Sequence, residues 1–460
     1  MKLYHLKPTV IASVLTLLLS GCATYYQKNL QFQEKITTGN YTEANKMLDK
    51  SAKEANGKNR VLYYFDKGVV EHMLGNFSES NRWFQKADLY VEDYSKNLGM
   101  DALALMTNPG IKPYKPEDFE GVMIHFYQTL NYLFLKNYES ALIECRRLNI
   151  QLNRLNDKYK NNKNKYAEDA FGHHLMGMIY EASGDANNAF IAYRNAVNCY
   201  ESVYKPVFGM DVPQQLKHDV IRAAYKTGFG AEALQLEQKF NIKTEQDAPG
   251  NGTLVFFWMN GMGPVKSEWS LNFINSGAGN GFITLADAEA GVTFPIFLGN
   301  YSQNEQSALK NLSALRIAFP KYQSRPAVYS QGSLLVNNTR VPLQLSQDIN
   351  AIAFQSLKDR MLREIGTSIA RLAVKKAMEE YVRSQNKDLG AVLSIVNALT
   401  EKADTRNWQT LPSGISYARV SLPPGTHNIT LEATGAQRTS IPITVTIEKG
   451  KTTFYNFHNL

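Results

Sequence analysis

Cysteine is scarce. Three occur in 460 residues, at positions 22, 145 and 199, too few for a disulfide framework. No nucleophile elbow, zinc-ligand spacing or paired-carboxylate motif occurs, so any catalysis would need groups brought together from distant parts of the chain. Long hydrophobic runs are missing too. Beyond residue 22 no stretch of 18 or more apolar residues is present, so no later segment is expected to span a bilayer as a helix. Strong charge of either sign is also absent. The formal charge of +8 falls by two if Lys2 and Lys7 leave with a signal peptide. That mild basicity suits anionic lipid or cell-wall polymer and does not point to nucleic acid. With 44% hydrophobic and 20% charged residues, the composition is that of a globular protein, long enough for two or three domains.

What is present begins with an address. Lys2 and Lys7 form a short basic region, and the apolar run from Val10 to Leu19 has the length of a signal-peptide core, too short to cross a membrane. Leu19, Ser20, Gly21 and Cys22 follow. This stretch resembles the bacterial lipobox. The resemblance implies that the Cys22 thiol receives diacylglycerol, that residues 1–21 are cut away, and that the new amino end is N-acylated. Two or more acyl chains anchor a protein stably. No other cofactor and no metal is expected. In lipoproteins of this kind Asp after the cysteine favours retention in the inner membrane, and here the residue is Ala23. No acidic run follows. The expectation is an outer-membrane, palmitoylated lipoprotein facing the periplasm.

From about residue 25 to 245 the chain repeats itself. Gly39, Gly75, Lys136, Gly184 and Gly228 each open a turn. A small residue follows five places on (Ala44, Ser80, Ala141, Ala189, Ala233), and then an amphipathic helix. The best copy, "HHLMGMIYEASGDANNAFIAYRNAV", resembles a tetratricopeptide repeat. Gly177, Ala189 and Ala196 fall where helices must approach closely, and Tyr180 and Tyr193 where bulk fills the core. The second copy matches through Gly68, Ser80, Ala87 and Phe84, and the third through Tyr132 and Ala141, with Cys145 at the bulky position. Cys145 and Cys199 are expected as buried free thiols. Spacings of 36, 61, 48 and 44 residues against a family period of 34 require insertions, and the Lys/Asn-rich stretch from Asn156 to Asp169 reads as a solvated loop. The resemblance places Phe65, Val69, His72, Phe126, Leu130, Leu133, His174 and Met178 along one concave face. That apolar groove suits an amphipathic helix of a partner protein, or equally the chain's own C-terminal half. His173 and His174 point about 100° apart on a helix and read as structural, not metal-binding.

After the polar linker "NIKTEQDAPGNG" the pattern changes. "TLVFFWMNGMGPVKSEW" is an apolar strand running into a Gly-rich loop. Val265 precedes the lysine, and Pro264 lacks the N–H that a phosphate cradle would use, so nucleotide binding is not expected. "NSGAGNG" reads as a flexible loop. Asn337 and Asn338 mark a hairpin. Asp348 caps a long helix whose apolar stripe runs through Leu357, Met361, Ile365, Ile369 and Leu372. Arg360, Arg363, Arg371 and Lys375 lie roughly opposite, a candidate contact for lipid phosphates or wall carboxylates. The last strands, with turns at Pro423–Gly425 and Lys449–Gly450, resemble a small β-sandwich module.

Gly261, Pro264 and Lys266, with Asp404, Arg406 and Trp408, resemble the Gly-x-x-Pro-x-Lys and Asp-x-Arg-x-Trp motifs of an uncharacterised family of bacterial tetratricopeptide lipoproteins. That likeness implies no known activity. Trp408 reads as a core anchor, with Arg406 paired to Asp404. The expected fold is α+β. A signal peptide (1–21) precedes a TPR-like α-solenoid (22–245), then a mixed region with the long helix (250–403) and a small β-sandwich (404–460) that could join it as one unit. The expected function is a non-enzymatic, protein–protein interaction scaffold in envelope assembly, for wall synthesis or export. The alternatives are a module binding peptidoglycan or lipopolysaccharide and, behind it, an unrecognised hydrolase.

Overall fold

The computed structural model describes residues 24–96, 112–159, 163–244, 247–289, 291–385 and 403–459. Cys22 lies outside them. Ten helices of the N-terminal half form five hairpins: α1 (Leu30–Thr37) with α2 (Tyr41–Lys50), α3 (Arg60–Met73) with α4 (Phe77–Lys96), α5 (Asp118–Phe134) with α6 (Tyr138–Lys158), α7 (Ala170–Ala182) with α8 (Ala186–Cys199), and α9 (Gln214–Lys226) with α10 (Gly230–Phe240). Single-turn segments lie between some of them.

One local device makes all five turns. Gly39, Gly75, Lys136, Gly184 and Gly228 have positive φ. In each, the N–H of that residue bonds the carbonyl three back, and the next N–H bonds the carbonyl five back from itself, as in Gly75 to His72 and Asn76 to Glu71. This is the left-handed helix stop that glycine makes cheap. Lys136 adopts it without glycine. Asn40, Asn137 and Asp185 then cap the following helices with their side chains. The small residues five places on, Ala44, Ser80, Ala141, Ala189 and Ala233, are all buried. They let paired helices touch. A Cβ on Gly177 would stand 2.3 Å from the Tyr193 ring, and one on Gly68 would stand 2.7 Å from Phe84.

Among its described residues the C-terminal half has eleven strands: β1 (Gly252–Met262), β2 (Val265–Gly279), β3 (Phe282–Asp287), β4 (Val292–Phe297), β5 (Ala314–Gln323), β6 (Tyr329–Val336), β7 (Thr339–Asp348), β8 (Pro412–Leu422), β9 (Gly425–Gly435), β10 (Arg438–Ile447) and β11 (Thr452–Asn459). It also has helices α11 (Gln303–Lys310) and α12 (Ile349–Gln385). Seven strands run in the order β10-β9-β6-β7-β8-β1-β11 and curl into a nearly closed barrel. The edges approach closely enough for Thr453 Oγ1 to donate to the Thr446 carbonyl at 3.1 Å. Four more, β4-β3-β2-β5, form a curled half-barrel. Among the described residues no helix is long and apolar enough to cross a membrane.

Several expectations change here. The strands after residue 404 are not a separate sandwich. β8 pairs with β1 and β7, β9 with β6, and β11 lies parallel to β1. The reason lies in β1. Its uninterrupted apolar run is buried on both faces: Leu254, Phe256 and Trp258 fill the barrel, while Val255, Phe257 and Met259 pack on the helices. A strand buried on both faces belongs in the middle of a sheet. "NSGAGNG" is not a loose loop but the end of β2 and an Asn280–Gly281 turn, both residues with positive φ, the tight hairpin turn such a pair favours. The Lys/Asn-rich stretch is only partly solvated, since Asn156, Asn164, Tyr166 and Asp169 are buried. The Asn337–Asn338 turn and the Asp348 cap, which accepts the Ala351 N–H at 2.9 Å, are where the sequence places them.

Gly177→Ala should destabilise the protein by about 1–3 kcal/mol through overpacking against Tyr193. A thermal melt indistinguishable from that of the parent would refute the close approach of α7 and α8 at Gly177.

Candidate functional site

The eight concave-face residues come together, and all are buried: Phe65, Val69, His72, Phe126, Leu130, Leu133, His174 and Met178. The cover is the chain's own C-terminal half. Phe65 stacks on Trp408 with ring centroids 4.1 Å apart, and Phe84 and Tyr127 close in at 5.8 and 5.9 Å. Asn456 of β11 donates to His72 Nε2 at 2.9 Å. That leaves His72 Nδ1–H to donate to Asn131 Oδ1 at 2.6 Å, one neutral tautomer whose pKa burial depresses to about 4. His174 meets Asp219 at 3.3 Å and stands nearly perpendicular to the Tyr417 ring, with centroids 5.0 Å apart. Phe171 bridges the rest, lying 5.9 Å from Phe126 and 6.1 Å from Phe257 of β1. The groove that the sequence offers to a partner is occupied in this structure.

Three sets of buried polar contacts surround this apolar seam. In the first, α5 begins with a capping box in which Glu120 accepts the Glu117 N–H at 2.9 Å. Glu120 also accepts the Tyr114 hydroxyl and the Trp408 N–H, each at 2.7 Å. The Lys266 ammonium bonds Glu117 Oε1, and Arg360 donates to the same oxygen at 2.6 Å. Burial acts to raise the Glu117 pKa, but Arg360 and Lys266 hold it at about 2. Glu120 is pushed up to about 7 by burial, with Glu117 repelling it and Lys266 opposing. Asp66, which accepts the Thr410 hydroxyl at 2.9 Å, is also raised to about 7, by burial first and by Glu120 in addition.

The two short motifs supply this region. Asn407 donates to the Pro264 carbonyl at 2.8 Å, and Gly263 N–H donates to the Leu411 carbonyl at 2.7 Å. The loop therefore grips residues 407–411, and Lys266 is buried against a carboxylate. Arg406 pairs with Asp404 at 2.7 Å and donates to Asn59 and to the Lys112 carbonyl across the seam.

In the second set, Arg222 of α9 bonds Asp219 and Glu181 at 2.8 and 2.9 Å. Arg419 of β8 reaches Glu181 at 3.3 Å, and the Tyr417 hydroxyl donates to Asp219 at 2.7 Å. In the third, Gln347 donates to Asp169 at 2.7 Å and accepts from the Tyr204 hydroxyl at 2.7 Å. All three tie the helix hairpins to the strands.

The candidate basic face changes as well. Arg360 turns inward to Glu117, a correction to its role as a surface contact. Lys375 is half-buried. Arg363 and Arg371 share the helix, but their side chains lie outside the described residues. Glu117, Glu120 and Asp66 were missed by sequence reasoning. The Glu-x-x-Glu spacing ahead of the apolar run of α5 is a capping-box signal that could have marked the first two. Two unlike carboxylates beside a lysine resemble acid–base sites in form. Here each is held by groups of the chain itself, and their shared effect is to fasten the seam. Among the described residues no group of three or more His, Cys, Asp or Glu is arranged to hold a metal. Cys145 and Cys199 are free thiols and buried.

Trp408→Ala should cost about 3–5 kcal/mol and expose the chain after residue 250 to limited proteolysis while the helical half stays protected. Equal resistance of parent and variant would show that the seam does not depend on this side chain. Asp66 has a second consequence. Its pKa is raised on folding, so the stability it contributes is full below the unfolded value near 4 and is lost as pH rises through about 7. Between pH 6 and 8 the parent should lose on the order of 1 kcal/mol that Asp66→Asn does not. Parallel stability curves over that range would refute the shift.

No protein-family model matches the chain, and no curated protein matches it. Solved structures resemble it only loosely. The crystal structure of MamA is 16% identical and covers 45% of this chain and 91% of its own, with a TM-score of 0.29. The TPR-like repeats of a putative kinesin light chain from Podosopora anserina are 13% identical, covering 46% of this chain and 91% of theirs at 0.31. Apo RapI is 12% identical, covering 47% and 68% at 0.33. Likeness at such scores decides neither fold nor function. The hairpin repeat rests on the five turns of this chain.

Proposed function

We propose that this protein is a lipid-anchored scaffold of the outer membrane, facing the periplasm, that brings envelope proteins together without catalysis. The anchor reading is supported by the lipobox resemblance ending at Cys22. The scaffold reading is supported by the helix hairpins. One observation shapes it. The concave face is filled by the chain's own C-terminal half, so the repeats and strands form one frame, and partner contacts move to the outside. Large apolar side chains stand exposed on the second helix of four successive hairpins: Leu89, Ile143 and Ile150, Ile191, and Leu234. Single exposed residues of this kind are ordinary, but their recurrence on the outer helices makes that face the first place to look. Binding of wall polymer or lipopolysaccharide by α12 is less favoured, because Arg360 is already engaged by Glu117.

Crosslinking in envelopes followed by affinity capture tests this reading. The mature chain should carry acyl mass on Cys22 and should capture discrete proteins. Ile143→Glu combined with Ile150→Glu should cut that capture tenfold or more, about the effect of losing a hot spot of 1.4 kcal/mol or greater, with little change in melting because both side chains are exposed. Retention on purified sacculi or lipopolysaccharide, without discrete protein partners, would overturn the scaffold in favour of polymer binding.

A further inference from the structure

The stretch that begins at Thr24 is fastened to the body of the protein. Thr24 caps a one-turn helix, Tyr25–Lys28, by a reciprocal capping box with Gln27. Tyr25 N–H donates to Thr405 Oγ1 at 3.3 Å, and burial pushes its phenol well above the usual range. The Arg325 guanidinium lies over the Tyr26 ring at 5.7 Å. The same guanidinium donates to Gln33 at 2.9 Å, to the Gly263 carbonyl at 2.6 Å and to the Gln409 carbonyl. Tyr25 and Tyr26 are thus tied to Thr405 and to Arg325, between β5 and β6, in the other half of the chain.

We infer that the end of the molecule carrying Thr24 is a membrane-contact surface that meets phospholipid headgroups directly. This rests on the proposed lipidation of Cys22. Two residues of chain reach at most about 7 Å. The headgroup layer of one leaflet is itself about 5–8 Å thick. An acylated Cys22 therefore leaves Thr24 within or against that layer, and no tether lets the body stand away. Gln27, Lys28 and Leu30 are exposed beside it, a cation and an apolar side chain where phosphates and the acyl boundary would lie. The other end of the barrel is remote. Met262, at one end of β1, packs with Phe32 and Ile36 of α1. Gly252, at the other end, lies against Glu448 and Lys451. The strand between them is about 33 Å long.

The chain lends itself to a direct test, because Cys145 and Cys199 are buried and an acylated Cys22 cannot be labelled. A fluorophore is placed by Lys28→Cys or, separately, by Lys449→Cys, both exposed positions. The acylated proteins are reconstituted into phosphatidylethanolamine–phosphatidylglycerol vesicles containing a headgroup-nitroxide lipid. The label at 28 should lose about half its emission or more, being within ~10 Å of the headgroups, and the label at 449 should lose little. A flexible Gly/Ser spacer inserted between Ala23 and Thr24 should restore emission at 28 while the protein stays vesicle-bound. Acylated protein with an unquenched label at 28, or with equal quenching at 28 and 449, overturns the contact surface and leaves the anchor standing. A mature chain without acyl mass refutes the anchor itself, and the inference with it.

Discussion

Trp408 seated on Phe65 is the contact around which the two halves are arranged. A buried tryptophan removes roughly 150–250 Å² from water, worth about 4–6 kcal/mol by area. Phe65, Phe84 and Tyr127 come from three helices of two successive hairpins, so one ring from residue 408 fixes how those hairpins stand. The indole N–H is satisfied by Thr410 at 2.9 Å, and Thr410 in turn donates to Asp66. An apolar anchor and a polar chain thus share one segment.

The polar contacts around the anchor act differently. Buried ion pairs such as Lys266–Glu117 and Arg222–Asp219 add little net stability, because desolvation offsets most of the attraction. Removing one partner, however, strands the other. Their effect is selective: a C-terminal half seated one residue out of register would take Lys266 and Arg360 from Glu117, Tyr417 from Asp219 and Gln347 from Asp169. β1 enforces the same register from its own side. Its odd and even residues serve two different cores, so a slip of one position would exchange them. The groove is therefore closed by many independent constraints, and the outer helices are left with exposed apolar side chains such as Leu89, Ile143 and Ile191.

Much was legible locally. A glycine-type turn followed by a small residue five places on identifies each hairpin, because a left-handed stop and a close helix contact are demands on single residues. The long helix begins at Ile349 as its Asp348 cap indicates, and Asn337–Asn338 turns its hairpin, for the same reason. The resemblance of residues 19–22 to a lipobox likewise uses adjacent residues alone. The tertiary structure decided who covers whom. An apolar concave face is equally compatible with a partner's helix and with the chain's own strands, since hydrophobic burial carries no address. Only the simultaneous fit of Trp408, Asn456, Tyr417 and Gln347 selects the latter. The sandwich became a barrel because β1 and β8 are about 160 residues apart in sequence yet adjacent in space, and alternation within one strand names its buried face, not its neighbour. Glu117, Glu120, Lys266 and Arg360 each look like an ordinary surface charge until three separate segments bring them together out of water. That is where their chemistry begins.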